Sequence, residues 1–358
     1  MGSENNAGTV FRCNGSFETG LGHLARCAVL TRRLPGVANK FIIGSDSLAE
    51  DFLRSKKIDF HLLPGIQSER KEASLVAEIA QQLKTQHVVL DKKDNSRAYL
   101  EVLKKAGLLV IDIEDRGEGR LLADILIDPH IWPESEEAAC EGPSFCGFGP
   151  DWVLLDPIYA RLRHRRRRDN KIEKPNSAVE VVVSCGGSDP AGLTGRVLEV
   201  LAGRAEKLRV TVVQGPGAKE RPLSCGPHEL RIVRGAASGL ARILYCSDLA
   251  VVSGGITMCE CMCLGLATVF VPQHEEQAVN AGHFADRGGL LLAPLPQDAD
   301  FTPRLEESID KVLTDKTTRR ELSRTGAGLV DGLGIARMLL VLESDRIKNC
   351  GRTFRERR

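Results

Sequence analysis

Aromatic residues are scarce in this 358-residue sequence, at 4%. Single-stranded nucleic acids are bound largely by stacking on aromatic side chains, so this scarcity argues against such a partner. Charge of one sign is lacking too, because 49 Lys and Arg balance 48 Asp and Glu for a formal net charge of +1. A balanced charge does not create the field that draws nucleic acids or anionic membranes. We therefore expect no nucleic-acid partner.

Long apolar stretches are also missing. No run approaches the ~20 residues that span a bilayer, and the first six residues, MGSENN, lack the basic and apolar regions of a signal peptide. These absences predict a cytoplasmic protein without an integral membrane segment. The 11 cysteines are odd in number and lie mostly in apolar segments, for example Cys13, Cys27, Cys185 and Cys246. We expect reduced thiols packed in the core.

Short β-branched runs alternate with helical patterns in both halves of the chain. Thr9–Arg12, Val88–Leu90 and Val179–Ser184 are examples of such runs. Nearly continuous apolar runs of this length suit parallel strands that are covered on both faces. At roughly 100–200 residues per domain, the chain length corresponds to two domains. The sequence thus predicts two α/β domains built from parallel βαβ units.

A block of arginines separates the two halves. Residues 159–176 contain six arginines and then Pro175. A run of like charges resists packing and is typical of a solvated linker. A patch that binds phosphate or nucleic acid is the alternative, which the absence of interleaved aromatic residues disfavours. The predicted domains are therefore residues 1–158 and 177–358, joined by a basic linker over 159–176.

The first glycine-rich turn has the sequence Gly20-Leu21-Gly22-His23. Its glycines let the backbone approach a ligand closely, so Gly20 and Gly22 are candidate substrate-binding residues. His23 falls at the start of a predicted helix, where the helix dipole disfavours imidazolium and leaves a neutral base. A capping or core histidine is the alternative. The turn lacks the full G-x-G-x-x-G pattern, because Ala25 stands where the last glycine would be, so it is a weak dinucleotide signal.

The second turn, Ser184–Pro190, follows a strongly β-prone run. Its backbone amides and the Ser188 hydroxyl suit an anionic diphosphate, which makes Gly187 and Ser188 candidate binding residues. The lysine of a P-loop is absent, which disfavours ATP hydrolysis of the Walker type. The alternative is a tight turn in which Asp189 caps the next helix.

The third turn contains Gly254 and Gly255, followed by Thr257 and Glu260. The glycines can lie against phosphates at a helix start, and Thr257 can cap the helix or donate to phosphate. Glu260 stands three residues after Thr257, as in a capping box. The functional alternative for Glu260 is a carboxylate that accepts hydrogen bonds from ribose hydroxyls.

In this order and spacing, the turns resemble the UDP-2,4-diacetamido-2,4,6-trideoxy-β-L-altropyranose hydrolases of the pseudaminic acid pathway. They also resemble the related spore-coat polysaccharide proteins and, more distantly, the enzymes that add N-acetylglucosamine to lipid-linked cell-wall precursors. The resemblance covers about residues 9–345. It is carried by Gly20–Cys27, Val110–Asp112, Val183–Pro190, Ser253–Glu260 and Glu276–Ala281.

The resemblance implies a glycosyltransferase-B-type fold, in which two Rossmann-like domains face a cleft. UDP would lie mainly on the C-terminal domain and the sugar towards the N-terminal domain. His23 matches the catalytic histidine of the hydrolases, which need no metal or cofactor, and Gln277 matches a contact to sugar or phosphate. The resemblance thus implies a UDP-sugar as the small-molecule partner and a role in nonulosonic acid or surface polysaccharide biosynthesis.

The sequence departs from this family at three positions on the sugar side. Asn14 replaces an aspartate, Lys92 follows the retained Asp91 where the family has histidine, and Glu276 replaces an asparagine. Asp91 is therefore a candidate catalytic residue, and Asn14 and Glu276 are candidate sugar contacts. Because the UDP side is better preserved, the donor class is more firmly indicated than the sugar or the reaction.

Two clusters have the residue types of metal ligands. Cys259, Cys261 and Cys263 lie on a predicted helix where the middle side chain points away from the other two, which favours core packing. A second cluster, Asp112, Glu114 and Asp115, suits a cation or sugar hydroxyls, or else ordinary strand-end roles. We expect no metal site.

Three functions fit these features. The first is a metal-independent UDP-sugar hydrolase with His23 as the base. The second is a glycosyltransferase of the same fold, and the third is a nucleotide-sugar binding protein without turnover. No long basic amphipathic helix is present for contact with a membrane-bound acceptor, which favours hydrolysis.

Overall fold

The computed structural model describes residues 8–16, 20–34, 39–63, 65, 68–131, 141–168, 178–219, 221–235 and 239–343. The chain divides into two compact units. The first unit comprises Met1–Leu154 and Gly334–Arg358, and the second comprises Leu155–Leu333.

The first unit is built on a seven-stranded parallel sheet in the order β3-β2-β1-β4-β5-β6-β7. Strands β1 to β7 are Thr9–Cys13, Lys40–Ile43, Phe60–Leu62, His87–Asp91, Leu109–Ile113, Ile125–Asp128 and Phe145–Phe148. Its helices are α1 (Gly22–Leu30), α2 (Ser47–Ser55), α3 (Glu69–Gln82), α4 (Arg97–Lys105) and α12 (Gly334–Glu343). Short 3-10 helices span Glu118–Leu122 and Pro150–Trp152.

Helices cover both faces of this sheet because successive strand residues point to opposite sides. Phe11 of β1 is buried with α1, α2 and α12, and it stacks on Phe41 with ring centroids 5.0 Å apart. Its neighbour Val10 is buried on the other face with α3 and α4. The prediction of strands covered on both faces is confirmed.

The second unit has a six-stranded sheet in the order β10-β9-β8-β11-β12-β13. Strands β8 to β13 are Val179–Ser184, Leu208–Gln214, Glu229–Arg234, Leu249–Val252, Ala267–Phe270 and Leu291–Leu292, and all are paired in parallel. Helices α5 to α11 are Pro157–Arg168, Leu193–Ala202, Leu240–Cys246, Gly255–Leu264, Glu275–Asp286, Phe301–Thr314 and Lys316–Leu329.

The two sheets share one topology. In each, the chain first adds strands on one side and then crosses over to the other, so the order reverses between β1 and β4 and again between β8 and β11. In open α/β sheets, ligands bind outside the carboxyl ends of the strands at such a switch point. Each unit therefore has one edge position where a ligand site is expected, and the predicted turns lie there.

The basic stretch differs from its prediction as a linker. Helix α5 spans Pro157–Arg168, and its arginines bind carbonyl groups at the ends of other elements. Arg163 donates to the carbonyl of Val330 (2.6 Å), and Arg166 donates to Tyr245 (2.5 Å) and Ser247 (2.9 Å). Guanidinium groups satisfy the free carbonyls at helix C-termini, so these charges support packing rather than prevent it. The remaining predicted linker residues, 169–176, lie outside the described residues.

The C-terminal helix also differs from the predicted assignment of residues 177–358 to one domain. Helix α12 belongs to the first unit, where Ile335 and Met338 are buried against the sheet. Gly334 allows this return of the chain, because a Cβ atom there would lie 2.4 Å from the carbonyl oxygen of Val153. The local sequence pattern contains no signal for the sheet that this helix covers.

The stretch Lys316–Glu343 is long and apolar enough, by length and composition, to cross a membrane. It is not one helix in the structure, because α11 ends at Leu329 and α12 begins at Gly334. The two helices have 14 and 10 residues, whereas a helix needs ~20 residues to span a bilayer. Such a stretch is weak support for a membrane span.

The described cysteines form no disulfide bonds. Cys13, Cys27 and Cys185 are buried as predicted, whereas Cys246, the last residue of α7, is exposed. The three cysteines of α8, at positions 259, 261 and 263, are also buried. Core packing therefore accounts for that cluster.

Candidate functional site

The first switch point is occupied by the turn between β1 and α1. Gly20 has φ +77° and pairs through its backbone with Ser16. Leu21 is the N-cap of α1 and provides no side-chain cap, so helix α1 begins at Gly22 with uncapped amide groups. An uncapped helix N-terminus presents hydrogen-bond donors and partial positive charge. Gly20 and Gly22 therefore lie where they were predicted, at the start of a helix that carries His23.

His23 and Asp91 are brought together from sequence positions far apart. Asp91 is the last residue of β4, which pairs with β1, and its side chain is fully buried. His23 Nδ1 lies 2.6 Å from Asp91 Oδ1, and the His23 side chain is 18% exposed. An imidazole held by a carboxylate at one nitrogen is the arrangement that orients a general base.

Arg26 lies one helical turn after His23 and binds two carboxylates. Its Nε donates to Asp91 Oδ2 (2.6 Å) and its Nη2 donates to Asp91 Oδ1 (2.5 Å). Its Nη1 and Nη2 also donate to the two carboxylate oxygens of Glu114, the residue that follows β5. Arg26 is 4% exposed, so this guanidinium is a buried countercharge shared by Asp91 and Glu114.

The electrostatics of this cluster favour ionised carboxylates. Burial raises the pKa of Asp91, but the charges of Arg26 and His23 outweigh it and hold that pKa well below its usual range. Glu114 behaves in the same way: burial is outweighed mainly by Arg26, and its pKa falls to about 2. Both groups therefore carry negative charge at neutral pH.

An ionised Asp91 determines which nitrogen of His23 carries the proton. A carboxylate can only accept, so Nδ1 must be the protonated nitrogen in their 2.6 Å contact. Arg26 Nη2 also lies 2.9 Å from Nδ1, and in this tautomer the guanidinium donates to the carboxylates instead. Whenever the ring is neutral, Nε2 therefore has the lone pair, and no described residue donates to it. His23 is arranged to accept a proton.

Asn14 and Lys92, two of the residues that differ from the family pattern, belong to a second network of contacts near this site. Asn14 is exposed, and its Oδ1 accepts from Arg12 Nη1 at 2.8 Å. Arg12 Nε donates to Glu72 Oε1 at 2.7 Å. Lys92 is buried, lies 3.3 Å from the same glutamate oxygen, and stacks 4.0 Å from the ring centroid of Tyr99. Lys92 is thus bound by α3 and α4, whereas Asn14 remains accessible for the predicted sugar contact.

In the second unit, the turn after β8 contains Gly187 and Ser188. Helix α6 begins only at Leu193, and Asp189 accepts from the amides of Leu193 (2.8 Å) and Thr194 (3.0 Å). The helix N-terminus is therefore capped by a carboxylate, as in the alternative interpretation of this turn. Ser188 is buried, while Gly187 is half-buried and stays a candidate phosphate contact.

The turn after β11 differs in having no side-chain cap. Gly254, with φ +97°, is the N-cap of α8, and no side chain bonds to the first amides of that helix. Thr257 is the third helical residue and Glu260 is bonded elsewhere, so the capping-box alternative is wrong. Gly255 and Thr257 lie in the first turn, where anions bind.

Glu260 lies one turn further along α8. Tyr159 is hydrogen-bonded to its carboxyl group, and Oε2 is buried without a partner among the described residues. Burial raises the pKa of Glu260 to about 8, although the Tyr159 bond opposes this shift. A buried acceptor without a donor is costly, and a ligand hydroxyl is a suitable donor for it.

Two glutamines connect the turns of the second unit. Gln273 Nε2 donates to the carbonyl of Cys185 (3.0 Å), and its backbone amide donates to Gln277 Oε1 (3.0 Å). Gln277 Oε1 also lies 3.5 Å from Ser253 Oγ. Gln277 is thus placed beside the turn after β11, while Glu276 is exposed on α9. Gln273 was not predicted, although its position shortly after β12, directly behind Pro272, was an available signal.

No protein-family model matches the chain. It is 24% identical over 356 residues to the spore coat polysaccharide biosynthesis protein SpsG of Bacillus subtilis (strain 168), covering 92% of this chain and 96% of that protein. This similarity confirms the resemblance to the spore-coat polysaccharide proteins.

Two further proteins are similar. One is the UDP-N-acetylglucosamine--N-acetylmuramyl-(pentapeptide) pyrophosphoryl-undecaprenol N-acetylglucosamine transferase of Haemophilus influenzae (strain PittEE), at 30% identity over 160 residues, 43% of this chain and 44% of that protein. The other is the crystal structure of Acinetobacter baumannii MurG, with a TM-score of 0.66 and 15% identity over 94% of this chain and 99% of that chain. The chain has the glycosyltransferase-B-type fold.

Within this glycosyltransferase-B-type fold, sequence reasoning found His23 and Asp91 but missed their support. Arg26 was missed, as was a second pair formed by Asp128 and His130, and Glu114 was singled out only as a possible ligand of a cation or of sugar hydroxyls. One signal was available for the acidic residues, because each ends or follows an apolar strand run. The predicted roles of individual residues remain predictions.

Proposed function

We propose that this protein is a metal-independent UDP-sugar hydrolase in which His23 is the general base. The observation that carries the proposal is the buried Asp91 bonded to His23 Nδ1 at 2.6 Å, which leaves Nε2 as the basic nitrogen. This dyad lies at the carboxyl ends of β1 and β4, where open α/β sheets bind ligands. A cytoplasmic role in surface polysaccharide biosynthesis accords with the similarity to the spore coat protein.

The proposed reaction needs one proton transfer at His23. Water loses a proton to Nε2 as its oxygen forms a bond to the anomeric carbon of the sugar. The bond between that carbon and the β-phosphate oxygen breaks, and UDP leaves with the electron pair. Asp91 stabilises the imidazolium that forms, and Arg26 keeps Asp91 ionised. General-base assistance of this kind contributes about 10²–10⁴-fold to a rate.

The second unit is proposed to bind the UDP group. The uncapped N-terminus of α8 at Gly254 and Gly255 offers amide donors to the diphosphate. Glu260 has a buried oxygen without a donor, which fits a ribose hydroxyl. Gly187 and Ser188, in the turn after β8, and Gln277, on α9, are the further residues proposed to contact the nucleotide.

A glycosyltransferase is the second candidate. It is favoured by the 30% identity to an N-acetylglucosamine transferase over 160 residues and by the fold shared with MurG. In that case, an acceptor hydroxyl would replace water and lose its proton to His23. The two functions differ in their need for an acceptor.

The deciding experiment measures UDP release from UDP-N-acetyl and UDP-2,4-diacetamido sugars, without acceptor and with EDTA. Release of UDP with free sugar is expected, and His23→Ala should lower the rate about 10²–10⁴-fold without weakening UDP binding. Release only on addition of an acceptor would establish the transferase. Binding of UDP without turnover of any donor would overturn both.

A further inference from the structure

A second histidine–carboxylate pair lies in the first unit, directly after β6. Asp128 ends β6, which pairs in parallel with β5, and β5 pairs with β4. The carboxyl ends of neighbouring parallel strands meet at one edge of a sheet. Asp91 at the end of β4, Glu114 after β5 and Asp128 at the end of β6 therefore form a row of carboxylates along the edge that carries His23.

The geometry of this pair repeats that of the proposed catalytic dyad. Asp128 Oδ1 accepts from His130 Nδ1 at 2.6 Å and from the His130 backbone amide at 3.0 Å. Asp128 is 2% exposed and His130 17% exposed at their side chains, compared with 0% for Asp91 and 18% for His23. In both pairs, a buried carboxylate fixes Nδ1 of a ring that is partly accessible.

Glu114 links the two imidazoles electrostatically. The pKa of Glu114 is lowered by charges on Arg26, His130 and His23, which outweigh the effect of burial. Burial lowers the pKa of His130, but the Asp128 hydrogen bond and the charge of Glu114 raise it above the usual value, against a smaller opposing effect of Arg116. His130 is therefore biased towards imidazolium, which is a hydrogen-bond donor at both nitrogens.

An ordinary strand-end turn does not account for this placement. An aspartate that only closes a turn after a strand is normally solvated, and a hydrogen bond from one of the next backbone amides is enough to hold the turn. Here the carboxylate and most of the ring are withdrawn from water beside a third charged group, Glu114. Burial of charged groups is costly unless they are paired, and it concentrates at functional sites.

We propose that His130, held by Asp128, is a specificity-determining residue that donates a hydrogen bond to an oxygen of the sugar of the UDP-sugar. This inference rests on the proposed function. His23 and His130 then have opposite roles at one sheet edge, because His23 accepts a proton from water whereas His130 donates its own to the sugar. Activity should therefore fall at high pH, where His130 loses that proton.

The test compares His130→Gln with the wild-type protein and with the control variant His61→Gln. His61 lies in β3, the edge strand at the opposite end of the strand order of the same sheet. We measure the KM for UDP-sugar turnover from pH 5 to pH 9, and the affinities for UDP and UDP-N-acetylglucosamine by calorimetry. His130→Gln should raise KM about tenfold, as expected for one lost charged hydrogen bond, and remove the alkaline decline. Affinity for UDP should stay unchanged, and His61→Gln should match the wild type.

A wild-type KM and pH profile in His130→Gln would overturn the proposal. So would a loss of thermal stability in that variant with unchanged preference for the UDP-sugar over UDP, which would indicate a structural role. If the wild-type protein releases no UDP from any donor, the proposed hydrolysis fails separately. Calorimetry then still tests the sugar contact of His130. The wild-type protein should bind UDP-N-acetylglucosamine more tightly than UDP, and His130→Gln should lose that difference. An equal affinity of the wild-type protein for the two ligands would also refute the sugar contact.

Discussion

At the residue scale, Arg26 is the group on which the proposed base depends. It is buried and donates to both Asp91 and Glu114. Removing one partner of a buried ion pair leaves an uncompensated charge, which costs about 3–5 kcal/mol. Arg26→Met should therefore destabilise the first unit by about that amount at pH 7, as measured by calorimetric unfolding.

This loss should depend on pH in a defined direction. In the wild-type protein, the pKa values of Asp91 and Glu114 are lowered. The stability that the two carboxylates contribute is therefore complete at a pH above their pKa values in the unfolded chain. It is lost as the pH falls through their pKa values in the folded protein, which for Glu114 is about 2. Without Arg26, burial dominates and raises both pKa values, so the penalty grows as pH rises above about 4. The difference between variant and wild type should shrink at pH 4.

Arg54→Met is the matched control, because Arg54 is exposed and forms its ion pair with Glu50 on the same helix, α2. An exposed pair of this kind contributes about 0–1 kcal/mol. An equal loss for Arg26→Met at pH 7 and pH 4 would show that packing, and not charge, explains its role.

The contacts around His23 also show which parts of this site could be predicted from the sequence. The glycine-rich turn identified His23, because a histidine that begins a helix directly after glycines is typical of a ligand-binding turn. Asp91 was retained from the family pattern. The contact between them depends on how β1 pairs with β4, and the contact of Arg26 with Glu114 depends on the next pairing. Such long-range pairs leave no local spacing to recognise, which is why Glu114 and His130 received no catalytic role.

At the scale of elements, the two turns of the second unit are not equivalent. Asp189 caps α6, whereas α8 begins at Gly254 without a side-chain cap. Both turns have two adjacent glycines after a strand, so their sequences do not show which one leaves its helix uncapped. The observed helix starts do, because the helix after β8 begins at Leu193 and the helix after β11 begins at Gly255. The proposed diphosphate contact therefore belongs to α8.

Gly255→Ala tests this contact. A Cβ at Gly255 would meet no atom within 4 Å and the residue has no positive φ, so thermal stability should be unchanged or slightly raised. A phosphate that approaches this backbone would meet the added methyl group, and UDP affinity measured by calorimetry should fall about tenfold, equivalent to ~1.4 kcal/mol.

Gly195→Ala is the control, because Gly195 lies in α6 with equally open surroundings. It should bind UDP as the wild type does. Unchanged UDP affinity in Gly255→Ala would move the phosphate away from the start of α8.

Helix α5 shows where sequence reasoning at this scale fails. The arginine block was interpreted as a linker because like charges repel, but Arg163 and Arg166 are each paired with carbonyl groups of other elements. Those carbonyls belong to the ends of α7 and α11, which are distant in sequence. Charge composition therefore predicted the wrong local structure, although the alternation of strands and helices around it predicted the fold class correctly.

At the scale of the whole molecule, the same strand order occurs in both units, with a switch point in each. The groups at the two switch points have different chemistry. The first has two imidazoles, a guanidinium and three carboxylates, and the second has glycine-rich turns and an uncapped helix. The repeated topology thus provides two positions for a ligand. In the proposed function, the first position supplies the proton acceptor and the second binds the anion.

This division predicts that UDP alone protects the second unit. Hydrogen exchange at the amides of residues 253–258 and 185–188 should slow on addition of UDP, because bound phosphate and local closure both reduce exchange. At 100 times its Kd, UDP should stabilise the unit that binds it by ~2.7 kcal/mol. UMP, which lacks the β-phosphate, should give weaker protection at Gly254 and Gly255. Amides of residues 20–26 should be unaffected by UDP and slow only with a UDP-sugar. Protection of residues 20–26 by UDP alone would assign the diphosphate to the histidine turn and contradict the proposed roles of the two units.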